Sequence, residues 1–170
     1  DGAQPQTSLL ALEMLGVLDE ILPELVEMKG VEQSAPHVDD VWRHTLNVLR
    51  HLGTMLTALA PQYSQGSADE FYNGLLVMRL GRYREQFGEH FSQDLTTDRS
   101  LYSLLFFAAL YHDVAKPLNQ SVDDDGRIRF FGHETEGALV AVNRMVNYIF
   151  RTTKLIGCGA LFVTTCASTQ

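Results

Sequence analysis

Two cysteines in 170 residues, Cys158 and Cys166, are too few for a disulfide framework, and both sit near the C-terminal end. A reducing, cytoplasmic setting is therefore expected. No apolar run reaches the roughly 18–20 residues that a membrane-crossing helix needs. A basic segment leading into an apolar stretch is missing from the start, so no secretory signal is read. The first residue is Asp1 rather than Met, which reads as a fragment or a processed piece. Positive charge is scarce: 13 Lys and Arg against 21 Asp and Glu give a net charge of −8. That balance argues against a broad electrostatic footprint for nucleic acid on this piece alone. What is abundant is apolar side chain, 45% of the total, enough for the core of one soluble globular domain.

The apolar residues recur at helical spacing almost throughout, which predicts an all-α fold. Ser8 is placed to cap a first helix carrying Leu9, Leu12, Leu15, Leu18 and Leu22, ended or bent by Pro23 and closed by Gly30. Residues 32–36 read as loop. Asp39 or Asp40 begins a long amphipathic helix with Val38, Val41, Trp42, Thr45, Leu49, Leu52, Leu56 and Leu59 on one stripe, stopped by Pro61. His44 and His51 lie at the edge of that stripe, where a side chain can reach a cleft or simply meet solvent. A further helix is expected from Phe71 to Phe91, its rhythm broken by Gly81 and Gly88. Arg79, Arg82 and Arg84 on it read as a solvated face, with phosphate as the alternative partner.

Leu101 to Pro117, LYSLLFFAALYHDVAKP, is the stretch around which the rest is organised. A helix apolar all round belongs inside a domain and is expected to be the most buried one, packed against the helix that carries His44. It ends in an adjacent imidazole and carboxylate, His112 and Asp113, and buried polar groups must find partners. A divalent transition ion satisfies both; hydrogen bonds to loops are the plainer alternative. Asp123-Asp124-Asp125-Gly126 is a turn signal that predicts a small hairpin or irregular loop. It lacks the spaced ligands and terminal Glu of an EF-hand, so calcium is not expected there. A last helix starts at His133, with Ala138, Leu139, Val142, Met145 and Val146 as its expected buried face.

Taken together, ILPELVEMKGVEQSAPHVDDVWRHTLNVL, LLFFAALYHDVAKP and DGRIRFFGHETEGA resemble the HD domain superfamily of metal-dependent phosphohydrolases. More narrowly, they resemble the HD region that follows the polymerase head in bacterial tRNA nucleotidyltransferase/poly(A) polymerase-like proteins. The resemblance implies an HD-type helical bundle over 37–145, preceded by a helical lead-in over 1–36. It implies a divalent metal ion (Mg, Mn, Ni, Fe and Zn are not distinguished) held by His44, His112 and Asp113. His133 and Lys116 would line the site as second-metal ligand or phosphate contact, with Asp113 and Lys116 as the catalytic pair. His37 is read as a helix-entry residue, and His51 and His90 as surface. The implied substrate is a phosphoester, a nucleotide or a tRNA end, with no membrane partner. Two departures weaken the catalytic reading. The family's late Asp has no counterpart, since no Asp follows Asp125, and no Gly-Ser followed by a spaced Asp-x-Asp of a polymerase head occurs near the start. The alternatives are a non-catalytic module that supports RNA binding by an absent head, and a fragment without a site.

Residues 146–170 change character: both cysteines, no acidic residue, and no helical period. Codons can be chosen for Asn147 to Ser168 such that a neighbouring frame encodes an amphipathic, basic stretch resembling the family's next helices, with an Asp and a His pair. The tail is accordingly expected to be the product of a reading-frame slip. The gene's nucleotide sequence past the Met145 codon decides this: a neighbouring frame should encode the basic stretch, and its absence from every frame sinks the idea.

Overall fold

A computed structural model describes residues 4–60, 71–96 and 99–155. The fold is all-α, a helical bundle with two short β-hairpins. Its helices are α1 (Pro5–Met14), α2 (Leu18–Ile21), α3 (Pro23–Val26), α4 (Val41–Ala58), α5 (Phe71–Leu80), α6 (Arg84–Ser92), α7 (Leu101–Tyr111) and α8 (His133–Leu155). Strands β1 (Asp94–Thr96) and β2 (Arg99–Ser100) pair antiparallel just before α7. Strands β3 (Ser121–Val122) and β4 (Ile128–Arg129) form the hairpin expected around the acidic turn.

The N-terminal segment is three short helices rather than one. Gly16, at φ +67°, adopts a left-handed conformation that no helix interior contains, and the chain turns there. Leu15 consequently points to solvent instead of joining the stripe. The helix also begins earlier than expected: Pro5 occupies its first turn after Gln4, and Ser8 caps nothing. Leu9, Leu18, Leu25 and Met28 from this region meet Val41, Trp42 and Leu49 of α4 and Tyr111 and Val114 in one buried cluster. Helix α4 starts as its sequence foretells. The Asp40 carboxylate accepts from the Arg43 N–H at 2.7 Å and from the Gly30 N–H at 3.1 Å, capping the helix and fixing the preceding loop.

Two burial expectations are overturned. Helix α7 packs against α4, but it is not the most buried helix: only Tyr111 of its residues is buried, against six residues of α4. A helix apolar all round needs cover on every side, and α4, α6 and α8 supply only part of it. Another side of α7, with Leu104, Phe107 and Leu110, opens into a cavity of about 460 Å³. On helix α8 only part of the expected face is inward: Met145 is half-buried and lines the same cavity. Leu139 and Val142 are 61% and 56% exposed, and Val146 is exposed too, while Gly137 is buried and Val140 and Ala141 pack on the core. Arg144 sets this rotation. It forms a two-pronged ion pair with Glu24, one prong at 2.7 Å and the other shorter, and Tyr111 donates to the same carboxylate at 2.6 Å.

Smaller corrections concern the middle of the chain. The expected helix over Phe71 to Phe91 is interrupted by a tight turn at Gly81–Tyr83. Arg84 is half-buried and donates to the Ala58 carbonyl at 3.2 Å, so it tethers α6 to the end of α4 rather than lying on a solvated face. Helix α8 runs on to Leu155, past the point where the periodicity was expected to fail; residues 156–170 lie outside the described residues. Among the described residues no helix is long and apolar enough to cross a membrane.

Gly137 meets Val114 and the Ala115 side chain where α8 crosses the turn after α7. A methyl group built there would lie 3.7 Å from each, an ordinary contact. Gly137→Ala should therefore raise the unfolding free energy by about 0.5–1 kcal/mol, because alanine costs less chain entropy in a helix. Urea denaturation followed by circular dichroism checks this, and a lower midpoint would show that α8 sits closer to α7 than described.

Candidate metal centre

The turn His112–Lys116 carries the site. Asp113, Val114, Ala115 and Lys116 are all buried there, between α4, the loop before it and the start of α8. Asp113 is 4% exposed and Lys116 7%, so an ionised pair lies inside the protein. Their contact is 2.8 Å, and the Lys116 ammonium also donates to Gln33 Oε1 at 2.7 Å and lies 5.3 Å from the Phe130 ring centroid.

Three imidazoles face the Asp113 carboxylate. His44 Nε2 is 3.8 Å and His112 Nε2 3.0 Å from Oδ2, and His133 Nε2 is 3.6 Å from Oδ1. Local backbone sets two of these rings. His112 Nδ1 lies 2.8 Å from the Ala109 carbonyl, and His133 Nδ1 lies 2.5 Å from the Phe130 carbonyl. A carbonyl oxygen can only accept, so in both rings Nδ1 carries the hydrogen and Nε2 is the atom turned to the carboxylate. Gly132, at φ +85°, makes the turn that brings His133 into position at the head of α8. His44 comes from the first turn of α4, fixed by the Asp40 cap.

Electrostatics follow from this crowding. Burial pushes the Asp113 carboxyl upward, but His112 and Lys116 outweigh it and hold the group at about 2. Burial lowers His44, against the pull of Asp113, which favours a neutral imidazole with a lone pair to share. Burial also acts to lower His112, but the adjacent Asp113 overrides it and raises that ring. Asp113 Oδ2 is sealed from solvent, with His112 Nε2 and the Lys116 ammonium its close neighbours.

His44, His112 and Asp113 offer one ligand atom each within 4.8 Å of one another, the group among the described residues able to hold a metal ion. The donor set fits a divalent transition ion: an imidazole kept neutral at His44, an ionised carboxylate, and at His112 a second ring nitrogen anchored on the Ala109 carbonyl. Lys116 and His133 stand at the same carboxylate, and His51 and His90 are exposed. Two residues escaped the sequence reading. Gln33 lies in a loop whose polar composition carries no signal. His37 looked like a helix-entry residue, yet its ring packs edge-on against His44 at 5.1 Å.

Removing Lys116 leaves a buried carboxylate without its cation. Lys116→Ala should cost about 3 kcal/mol of stability in the metal-free chain, whereas adding Asp113→Asn should recover most of it. A double-mutant cycle by urea denaturation checks this, and purely additive losses would show that the pair is not coupled.

Comparison with known proteins gives two relatives. The CC-adding tRNA nucleotidyltransferase of Thermus thermophilus is 32% identical over 134 residues, covering 78% of this chain and 21% of that protein. The A-adding tRNA nucleotidyltransferase of Deinococcus radiodurans is 30% identical over 131 residues, covering 76% of this chain and 20% of that protein. The chain thus contains a region similar to part of a tRNA nucleotidyltransferase and spans about a fifth of the length of these curated relatives. No family model and no solved structure matches it.

Proposed function

We propose that the chain is an HD-type, metal-dependent phosphoesterase module of a tRNA nucleotidyltransferase-like protein, acting on a nucleotide or an RNA-end phosphate. The observation that carries this reading is the pair of imidazoles, His112 and His133, turning Nε2 toward one buried carboxylate. Nitrogen lone pairs directed at carboxylate oxygens repel unless a proton or a metal ion lies between them. Neutral His44 adds a third donor at the same point.

In this reading His44, His112 and Asp113 hold the ion, with His133 beside Asp113 Oδ1. When bound, a divalent ion polarises a phosphoryl oxygen and lowers the pKa of a coordinated water. The chain's own residues do the rest. His112 and Lys116 hold the Asp113 carboxyl below the usual carboxylate range, so its charge is available at neutral pH. Lys116, held by Gln33, places positive charge where a phosphoryl group accumulates negative charge. Relatives that act on tRNA make an RNA-end phosphate or a nucleotide the natural substrate class. A second reading, a phosphate-holding module without turnover, is favoured by one observation: Asp113 is the sole carboxylate of the candidate metal group. A site with one carboxylate balances less of an ion's charge and binds it more weakly.

Asp113→Ala should abolish uptake of Mn²⁺ and all hydrolysis of bis(p-nitrophenyl) phosphate while leaving a helical protein, and His133→Ala should weaken both without abolishing either. Elemental analysis with a chromogenic assay checks this. Metal uptake without hydrolysis would select the non-catalytic reading, and full activity in Asp113→Ala would end the metal reading.

A further inference from the structure

The loop between α3 and α4 forms one wall of the metal centre and is pinned from several directions. The Gln33 side chain bonds the Lys116 ammonium at 2.7 Å and donates to the Asp39 carbonyl at 3.3 Å. Ser34 Oγ accepts from the Ile128 N–H of β4 at 2.7 Å, tying the loop to the second hairpin. Asp39 in turn accepts from Asn47 at 2.9 Å, which locks the loop to α4. On this wall stands His37, its ring edge-on to His44, which in turn lies 5.5 Å from the ring of His112.

The three rings form a row, His37, His44, His112, and the row is asymmetric. The Asp113 carboxylate faces the inner two, and no carboxylate contact involves His37 among the described residues. His37 is exposed, and no hydrogen bond or ion pair there engages its ring nitrogens. Its position is nonetheless fixed, because the loop that carries it is bonded to Lys116, β4 and α4. An N–H donor held at the open rim beside a cation site, with no hydrogen-bond acceptor among the described residues, is placed to meet an anion that the cation attracts.

We propose that His37 is a substrate-contacting residue that donates a hydrogen bond to a non-bridging phosphate oxygen at the mouth of this centre. The inference rests on the phosphoester reading above. It adds that the loop before α4, not only the motif residues, recognises the phosphate. Gln33 serves as a positioning residue for that wall and for Lys116.

The test uses the full chain as wild type, His37→Ala, His37→Gln and His44→Ala. Mn²⁺ content is measured by elemental analysis, and inorganic phosphate binding by calorimetry with and without Mn²⁺. The expected result is wild-type Mn²⁺ content in both His37 variants and phosphate affinity weakened at least about fivefold in His37→Ala. His37→Gln, which keeps an N–H donor, should recover part of the loss. Unchanged phosphate affinity in His37→Ala overturns the proposal. So does loss of Mn²⁺ matching that of His44→Ala, which would make His37 a metal ligand instead. If the wild type takes up no Mn²⁺, the metal reading fails by itself, and the metal-free phosphate comparison still decides the role of His37.

Discussion

The buried, ionised carboxylate of Asp113 is the constraint on which the rest depends. Withdrawing such a charge from water costs several kcal/mol even after the surroundings relax. The bundle answers with Lys116 three residues on and with imidazoles drawn from α4, the end of α7 and the head of α8. Each partner must itself be held. Gln33 takes the far side of the Lys116 ammonium, the Ala109 and Phe130 carbonyls take two ring N–H groups, and Asp40 fixes the helix that brings His44. Elements distant in sequence are thus brought together to satisfy one carboxylate.

A second polar cluster, a few residues away, keeps that arrangement in register. Tyr111 precedes His112, and its hydroxyl shares the Glu24 carboxylate with Arg144. Burial and then the hydrogen bond to Glu24 push the Tyr111 phenol far above its ordinary range, so it remains a donor at every relevant pH. For Glu24, burial acts upward, but the bonds from Arg144 and Tyr111 lower it overall. A group whose folded value is depressed stabilises the fold above its unfolded value and loses that contribution as pH falls through the folded one. The clasp therefore holds α3, α7 and α8 together at neutral pH. It works beside a cavity rather than a dry core, since Tyr111 and Arg144 line the same space as Phe107 and Leu110.

What could be read from the sequence follows from what short-range chemistry controls. The cap at Asp40, the hairpin around Gly126 and the helix starting at His133 are local events, and all three occur where composition places them. The side chains His44, His112, Asp113, Lys116 and His133 were singled out from motif and order, and the fold brings them to one point. Burial was misjudged wherever it depends on a partner element. Hydrophobicity all round α7 promised a central helix, yet one side of it, with Leu104, Phe107 and Leu110, lines a cavity. On α8 the most apolar stripe was assigned inward, but the Arg144–Glu24 pair turns Gly137, Val140 and Ala141 to the bundle instead. A two-pronged ion pair between residues 120 apart has no local signature. Gln33 and His37 were hidden for the same reason, since their meaning comes from Lys116 and His44.

Charge at two length scales gives the site its character. At a distance the chain is acidic, with a net charge of −8, and it offers no long-range pull on a polyanion. Within a few ångströms of Asp113 the acidic balance does not hold, because Lys116 pairs with the carboxylate and three imidazoles stand beside it. Capture of a phosphate there relies on contact rather than steering, so an extended nucleic acid would need a basic surface elsewhere to bring its end to the pocket. Two substrates would meet this requirement under the proposed function: a small phosphoester, or an RNA end presented by another part of a longer protein. The pinned loop bearing His37 would suit either, since the contact proposed for it is to the phosphate group whatever carries it.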